Sequence, residues 1–216
     1  MAELSALATA PLAPADAAAR LAALRAQRRK PGEASFFWYE TQLRSVAVKI
    51  LPGEYFVSRE ELPIMTTLGS CIASCLWDRV AHVGGMNHFM LADGAGDNGR
   101  YGAFAMEQLI NELLKLGATR SSLEAKVFGG GQVLAGMDSL NVGERNTRFV
   151  LDYLRTERIP VVSKDVMDIY PRKVCFLPCS GKAMVKRLAA TQAAELVERE
   201  RAIAPKAAAA GSVDLF

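Results

Sequence analysis

No apolar run in this sequence approaches the roughly 18 residues that a membrane-spanning helix needs, and the N-terminus lacks the basic start and continuous apolar segment of a secretory signal. A soluble, cytoplasmic protein with no membrane insertion is expected. One-signed charge is lacking too: 26 Lys and Arg against 23 Asp and Glu leave a net +3, scattered except near Arg25 to Lys30, so nucleic acid is not an expected partner. Phosphate-loop patterns are missing. Gly129-Gly130-Gly131-Gln132 fits neither Gly-x-x-x-x-Gly-Lys-Ser/Thr nor Gly-x-Gly-x-x-Gly, which leaves a close backbone turn. The polar stretch 92–100 lacks the alternating carboxylates and final glutamate of a calcium loop and reads as a loop beside the site. Cysteines number only four, Cys71, Cys75, Cys175 and Cys179, and a four-thiolate zinc site fails on spacing. An extended 71–75 segment would hold its two thiols about 13 Å apart, too far to chelate one ion. No metal and no cofactor are expected, and a cytosolic chain of this size gives little reason for disulfides, so Cys75, Cys175 and Cys179 read as structural thiols.

What is present fills one domain. With 216 residues, half of them hydrophobic and 23% charged, the chain can bury a full core. Short alternating runs at 45–51 and 55–57, joined by Pro52-Gly53, read as strands, as do 126–128 and 159–162. Residues 104–116 carry Leu109, Ile110, Leu113, Leu114 and Leu116 at helical spacing and stop at Gly117; Asn146, Phe149, Val150, Tyr153 and Leu154 predict a second helix. Runs at 173–177 and 183–187 form a late hairpin. The expected fold class is α+β: a single domain over 46–190, of mixed β-sheet structure with helices packed against it. An Ala/Arg-rich extension over 1–45 is expected to be mobile, with a short amphipathic helix in 15–29 as the other reading, and 191–216 is a helix-prone tail. The aromatic cluster 36–39 covers a core edge or docks a partner.

The chemistry concentrates in Thr66-Thr67-Leu68-Gly69-Ser70-Cys71 and, after Trp77-Asp78, in Gly84-Gly85-Met86-Asn87-His88-Phe89. Two apolar runs broken at Asp78-Arg79 predict a β-hairpin, and a loop centred between Arg79 and Val80 sets Cys71 directly opposite His88. Directly opposed side chains share a face with Cβ atoms about 5 Å apart, so thiol and imidazole can share a proton. An odd loop would turn one of them away. A cysteine beside a histidine is the pairing that makes a thiolate nucleophile for acyl carbon. Gly69 and Ser70 supply a tight backbone whose N–H groups can face an oxyanion, and Gly84-Gly85 suggest a bulge or a close approach of substrate.

On these residues the sequence resembles the chemoreceptor glutamine deamidases (CheD), through Leu68-Gly69-Ser70-Cys71, Gly84-Gly85-Met86-Asn87-His88-Phe89-Met90-Leu91, Ala125-Lys126-Val127-Phe128-Gly129-Gly130 and Asn141-Val142-Gly143-Glu144-Arg145-Asn146. The likeness runs over about residues 50 to 187. It implies a cysteine-dependent deamidase fold and hydrolysis of selected receptor glutamines to glutamate by a Cys-His-Thr triad. Cys71 and His88 match directly; the threonine falls on Thr66, with Thr67 as the alternative. Gly69, Ser70, Gly85 and Asn87 are the expected substrate-binding residues. Methyl-accepting chemotaxis receptors are the implied substrate and a CheC-type chemotaxis phosphatase a possible partner. Two other readings use the same residues: a regulatory module that docks on a phosphatase or receptor, and a thiol esterase acting on receptor methyl esters.

Overall fold

Side chains along residues 72–78 divide by parity. Ala73 and Cys75 join one buried cluster with Val48, Ile64 and Val174, while Ile72 and Leu76 join another with Met106, Leu109 and Val150. A strand buried on both faces has no polar face to alternate with, which explains its nearly continuous apolar run. The protein, described by a computed structural model over residues 14–92, 100–132 and 142–189, places this strand at the centre of a layered α+β fold.

The elements in chain order are α1 (Pro14–Ala26), β1 (Phe36–Glu40), β2 (Ser45–Lys49), β3 (Tyr55–Ser58), β4 (Ile64–Leu68), β5 (Ile72–Asp78), β6 (Val83–Phe89), α2 (Gly102–Lys115), β7 (Leu123–Gly129), α3 (Val142–Thr156), β8 (Val161–Val166), β9 (Arg172–Phe176) and β10 (Ala183–Arg187). Among the described residues they make two five-stranded mixed sheets, ordered β1-β2-β4-β9-β10 and β3-β6-β5-β7-β8. The first cluster lies between the sheets; the second lies under α2 and α3, which cover the far face of the second sheet. The helix ending at Gly117 (φ +85°), the β5–β6 hairpin and the β9–β10 hairpin all stand where the sequence predicts them.

Two expectations change. Residues 14–40, assigned above to a mobile extension with a helix in 15–29 as the other reading, are part of the packed structure, and the helix reading is the one that holds: β1 pairs with β2, and α1 buries Ala17 while Leu21 and Leu24 pack on the first cluster. Arg25 donates to the Phe37 carbonyl at 2.8 Å, and the Arg29 guanidinium lies over the Phe37 ring at 4.7 Å. The arginines that made this segment look solvated are spent on packing it down. The expected tail, 191–216, lies outside the described residues.

The second change is the hairpin register. The β5–β6 loop holds four residues, 79–82, and is centred one residue later than predicted, so Ala73 rather than Cys71 opposes His88. Asp78 fixes this turn. Its carboxylate accepts from the backbone N–H of Val80, Ala81 and Thr119 and from the Ser122 hydroxyl. Burial opposes its ionisation, but these four bonds hold its pKa at about 2.

Candidate active site

Between β4 and β5 the chain leaves one sheet for the other, and residues Gly69, Ser70 and Cys71 make the crossing. A crossing cannot use ladder hydrogen bonds, so its backbone must be held from elsewhere. Gly130 donates to the Cys71 carbonyl and Gly131 to the Gly69 carbonyl, each at 2.8 Å. Asn146, buried on α3, donates its side-chain amide to the Ser70 carbonyl at 3.2 Å and to the Met90 carbonyl at 2.7 Å. The close approach has a steric requirement: a Cβ at Gly129, where φ is +109°, would stand 2.1 Å from the Cys71 carbonyl oxygen. The glycine run read as a tight turn is therefore the cradle of the cysteine backbone.

Cys71 is 1% exposed and joins the inter-sheet cluster with Ala73. His88, also 1% exposed, opposes Ala73 on β6. Cys71, one residue before β5, shares the inter-sheet cluster with Ala73, and His88 reaches Thr66 across the same space, so thiol and imidazole both face between the sheets. The even loop length preserved the shared face although the register slipped.

Proton counting fixes the imidazole. The Thr66 hydroxyl donates its one proton to the Ile50 carbonyl at 2.9 Å, and the same oxygen lies 2.9 Å from His88 Nδ1. Nδ1 must then donate to Thr66, which leaves Nε2 as the lone-pair nitrogen. Nε2 is buried and has no hydrogen-bond partner among the described residues. Burial alone pushes the His88 pKa down to about 3, so the resting ring is neutral. Of the two candidate threonines, Thr66 faces His88, whereas Thr67 pairs with Lys173 and lines a groove with Phe36 and Trp38 on the outer face of the first sheet.

This geometry sets two expectations. Thr66→Val, nearly isosteric, strands both Nδ1–H and the Ile50 carbonyl; a loss of about 1–3 kcal/mol in stability and a fall of about 10–100-fold in turnover should follow, with Thr66→Ser retaining most of both. Thr67→Val should change neither, as read by steady-state kinetics and urea midpoints. The second concerns acid. Because the folded pKa of about 3 lies below the free value of 6.5, the unfolded chain binds a proton that the native chain refuses. The contribution is complete above pH 6.5 and is lost as pH falls toward 3, by roughly 4–5 kcal/mol at the lower end. His88→Gln should flatten this acid limb; parallel stability curves for the two proteins would refute the assignment.

The remaining expected residues separate. Gly69 and Ser70 lie in the crossing itself, and Ser70 is partly exposed. Gly85 and Asn87 do not join them. Asn87 is on the opposite face of β6, where its Oδ1 accepts from Ser74 N at 3.0 Å and its Nδ2 donates to the Ala105 carbonyl at 2.9 Å. A Cβ at Gly85 would meet Val57 Cγ1 at 2.6 Å and the Phe56 carbonyl at 2.7 Å, so this glycine lets β3 and β6 approach. The β5–β6 ladder is unbroken from Ile72 to Asp78, with no bulge at Gly84-Gly85. The contacts of Asn87 and Gly85 are thus with the β3, β5 and α2 neighbours of β6. Asn146 was the residue that sequence reasoning passed over; its motif was visible, but the two carbonyls it holds are more than 50 positions away in the chain. Nor do the thiols converge: Cys75 faces between the sheets, Cys175 lies in the outer cluster of β9, and Cys179 sits in the β9–β10 turn.

A buried thiol sharing a face with a neutral imidazole, itself steered by a hydroxyl, is the constellation of a cysteine-dependent hydrolase. Comparison with known proteins narrows the class. Residues 90–187 match the family described as "CheD chemotactic sensory transduction". The chain is 61% identical over 206 residues to a probable chemoreceptor glutamine deamidase CheD 1 of Albidiferax ferrireducens, covering 93% of this chain and 88% of that one. It is 51% identical over 193 residues to the probable CheD of Thiobacillus denitrificans, covering 85% and 96%, and 49% identical over 189 residues to a probable CheD 1 of Shewanella oneidensis, covering 83% and 92%. This chain belongs to the CheD family.

Proposed function

We propose that this protein hydrolyses the side-chain amide of selected glutamines on methyl-accepting chemotaxis receptors, giving glutamate and ammonia. The observation that carries the reading is the Thr66–His88 hydrogen bond, because it leaves Nε2 as an unprotonated base on the face that Cys71 shares. Cys71 is the nucleophile, His88 the acid and base, and Thr66 orients the ring. The Cys71 thiol gives its proton to Nε2 as sulfur attacks the amide carbon, so proton transfer accompanies attack instead of preceding it, in keeping with a neutral resting imidazole. The imidazolium returns that proton to the departing nitrogen, the C–N bond breaks, and ammonia leaves a thioester. Water, deprotonated by His88, then attacks the thioester carbon; the C–S bond breaks, and the thiol and a glutamate side chain are released. Backbone N–H groups of the Gly69–Ser70 crossing are the proposed oxyanion donors.

We further propose a cytoplasmic setting with a CheC-type chemotaxis phosphatase as regulatory partner, a reading that membership of a chemotaxis family supports. The test is to incubate the purified protein with the cytoplasmic fragment of a chemoreceptor and follow ammonia release together with the small mass gain at each converted glutamine. Conversion by the wild type and none by Cys71→Ala is the expected result. Conversion that persists in Cys71→Ala would overturn the Cys71 mechanism, and no conversion with the fragment still bound by wild type would remove the hydrolase reading and leave a docking module.

A further inference from the structure

The β8–β9 connection carries three large apolar side chains in the open: Met167 at 41% exposure, Ile169 at 60% and Tyr170 at 38%. Its backbone is unusually costly. Met167 and Asp168 both take left-handed conformations, with φ of +64° and +68°, which side-chain-bearing residues rarely adopt in succession. Such a conformation persists only where surroundings impose it, and here they do. Arg172, fully buried, donates through Nε to Asp165 at 2.8 Å, through Nη1 to the Tyr170 carbonyl at 3.0 Å and through Nη2 to the Met167 carbonyl at 2.5 Å. Met167 N donates to the Gly129 carbonyl, and Gln132 N to the Asp168 carbonyl.

Those last bonds anchor the loop to the glycine run that cradles Cys71, since Gly130 and Gly131 bond the carbonyls of Cys71 and Gly69. The apolar side chains are thus presented from a rigid mount one strand end away from the cysteine. A buried guanidinium spent on a surface loop, and exposed apolar groups held at fixed positions, are features of a pre-organised contact surface.

Resting on the deamidase reading above, we propose that residues 167–170 are the contact patch for the protein substrate, with Ile169 and Tyr170 seated on apolar side chains of the receptor surface flanking the target glutamine. A glutamine on a large protein cannot be selected by its amide alone. The recognition surface must lie beside the nucleophile, and this loop is joined to it through two layers of backbone hydrogen bonds.

Ile169→Asp and Tyr170→Ala test the patch, with Val80→Asp as control, a still more exposed apolar residue at the far end of the β5–β6 hairpin. Two readouts are needed: KM and kcat on the receptor fragment, and binding of the fragment by the same variants in a Cys71→Ala background. At least a tenfold rise in KM and in the dissociation constant is expected for the loop variants, with kcat and thermal midpoint near wild type and no effect of Val80→Asp. KM and binding within twofold of wild type would overturn the patch, as would a fall in kcat at unchanged KM, which would mean the loop shapes the chemistry instead. Should wild type bind without turning over, the deamidase reading fails, and the binding arm still decides the patch.

Discussion

Cys71→Ala is expected to reduce glutamine conversion by at least about a thousandfold while leaving the fold intact, because it removes the atom that forms the thioester; Cys75, the other thiol on that face, opposes Met86 rather than His88, and burial pushes its pKa well up. The structural cost should be small. Cysteine to alanine deletes one buried atom, and the carbonyl bonds from Gly130 and Asn146 that hold the crossing are made to backbone and survive. His88→Ala should lose activity comparably, since the thiol then lacks a base, but it opens a larger cavity between the sheets and should lower the urea midpoint further. Nucleophile and base act as a unit, so the double variant should be no less active than either single one. Circular dichroism and residual ammonia release on all three proteins check this; a double variant worse by the product of the two singles would mean that cysteine and histidine act in separate steps.

Much of this site was legible in the sequence because strand alternation is insensitive to small errors. The predicted loop was displaced by one residue, yet an even loop still delivers Cys71 and His88 to one face. The displacement arises from Asp78, whose carboxylate reaches Thr119 and Ser122 more than 40 positions away, and no local pattern records such a bond. The crossing at 69–71 was hidden for a related reason. Thr66 to Asp78 reads as one apolar run, and only tertiary packing shows that its two halves belong to different sheets. The choice between Thr66 and Thr67 follows from that crossing, since β4 presents one of them to the interior and the other to Lys173. Gly85 and Asn87 were less legible. They shortly precede His88 in the chain, and proximity in sequence suggested a shared role, whereas strand alternation sets His88 and Asn87 on opposite faces. The α1 segment misled through composition, because arginine stems pack on aromatic rings as readily as they extend into solvent.

Gly129→Ala should damage stability and catalysis together, and more than any strain at the backbone angle alone explains. At φ +109° an alanine is strained, and its Cβ would also lie 2.1 Å from the Cys71 carbonyl oxygen, a backbone atom with no rotamer to move away. The crossing must shift, which puts at risk the bonds from Gly130 to Cys71, from Gly131 to Gly69 and from Met167 to Gly129. A loss of about 3 kcal/mol or more is expected, from strain and the weakened bonds together. Gly117→Ala provides the comparison. It too has a positive φ, of +85°, but its Cβ would meet only the Arg59 guanidinium at 3.0 Å, the movable end of a long side chain, so about 1 kcal/mol is expected. Catalysis separates the two further. A displacement of about 1 Å in a positioned nucleophile can cost on the order of 100-fold in rate, so Gly129→Ala should lose kcat even at temperatures where it is fully folded, and Gly117→Ala should not. Urea midpoints and kcat measured on both would decide; equal losses would mean that the glycine run supports the fold without holding the cysteine in place.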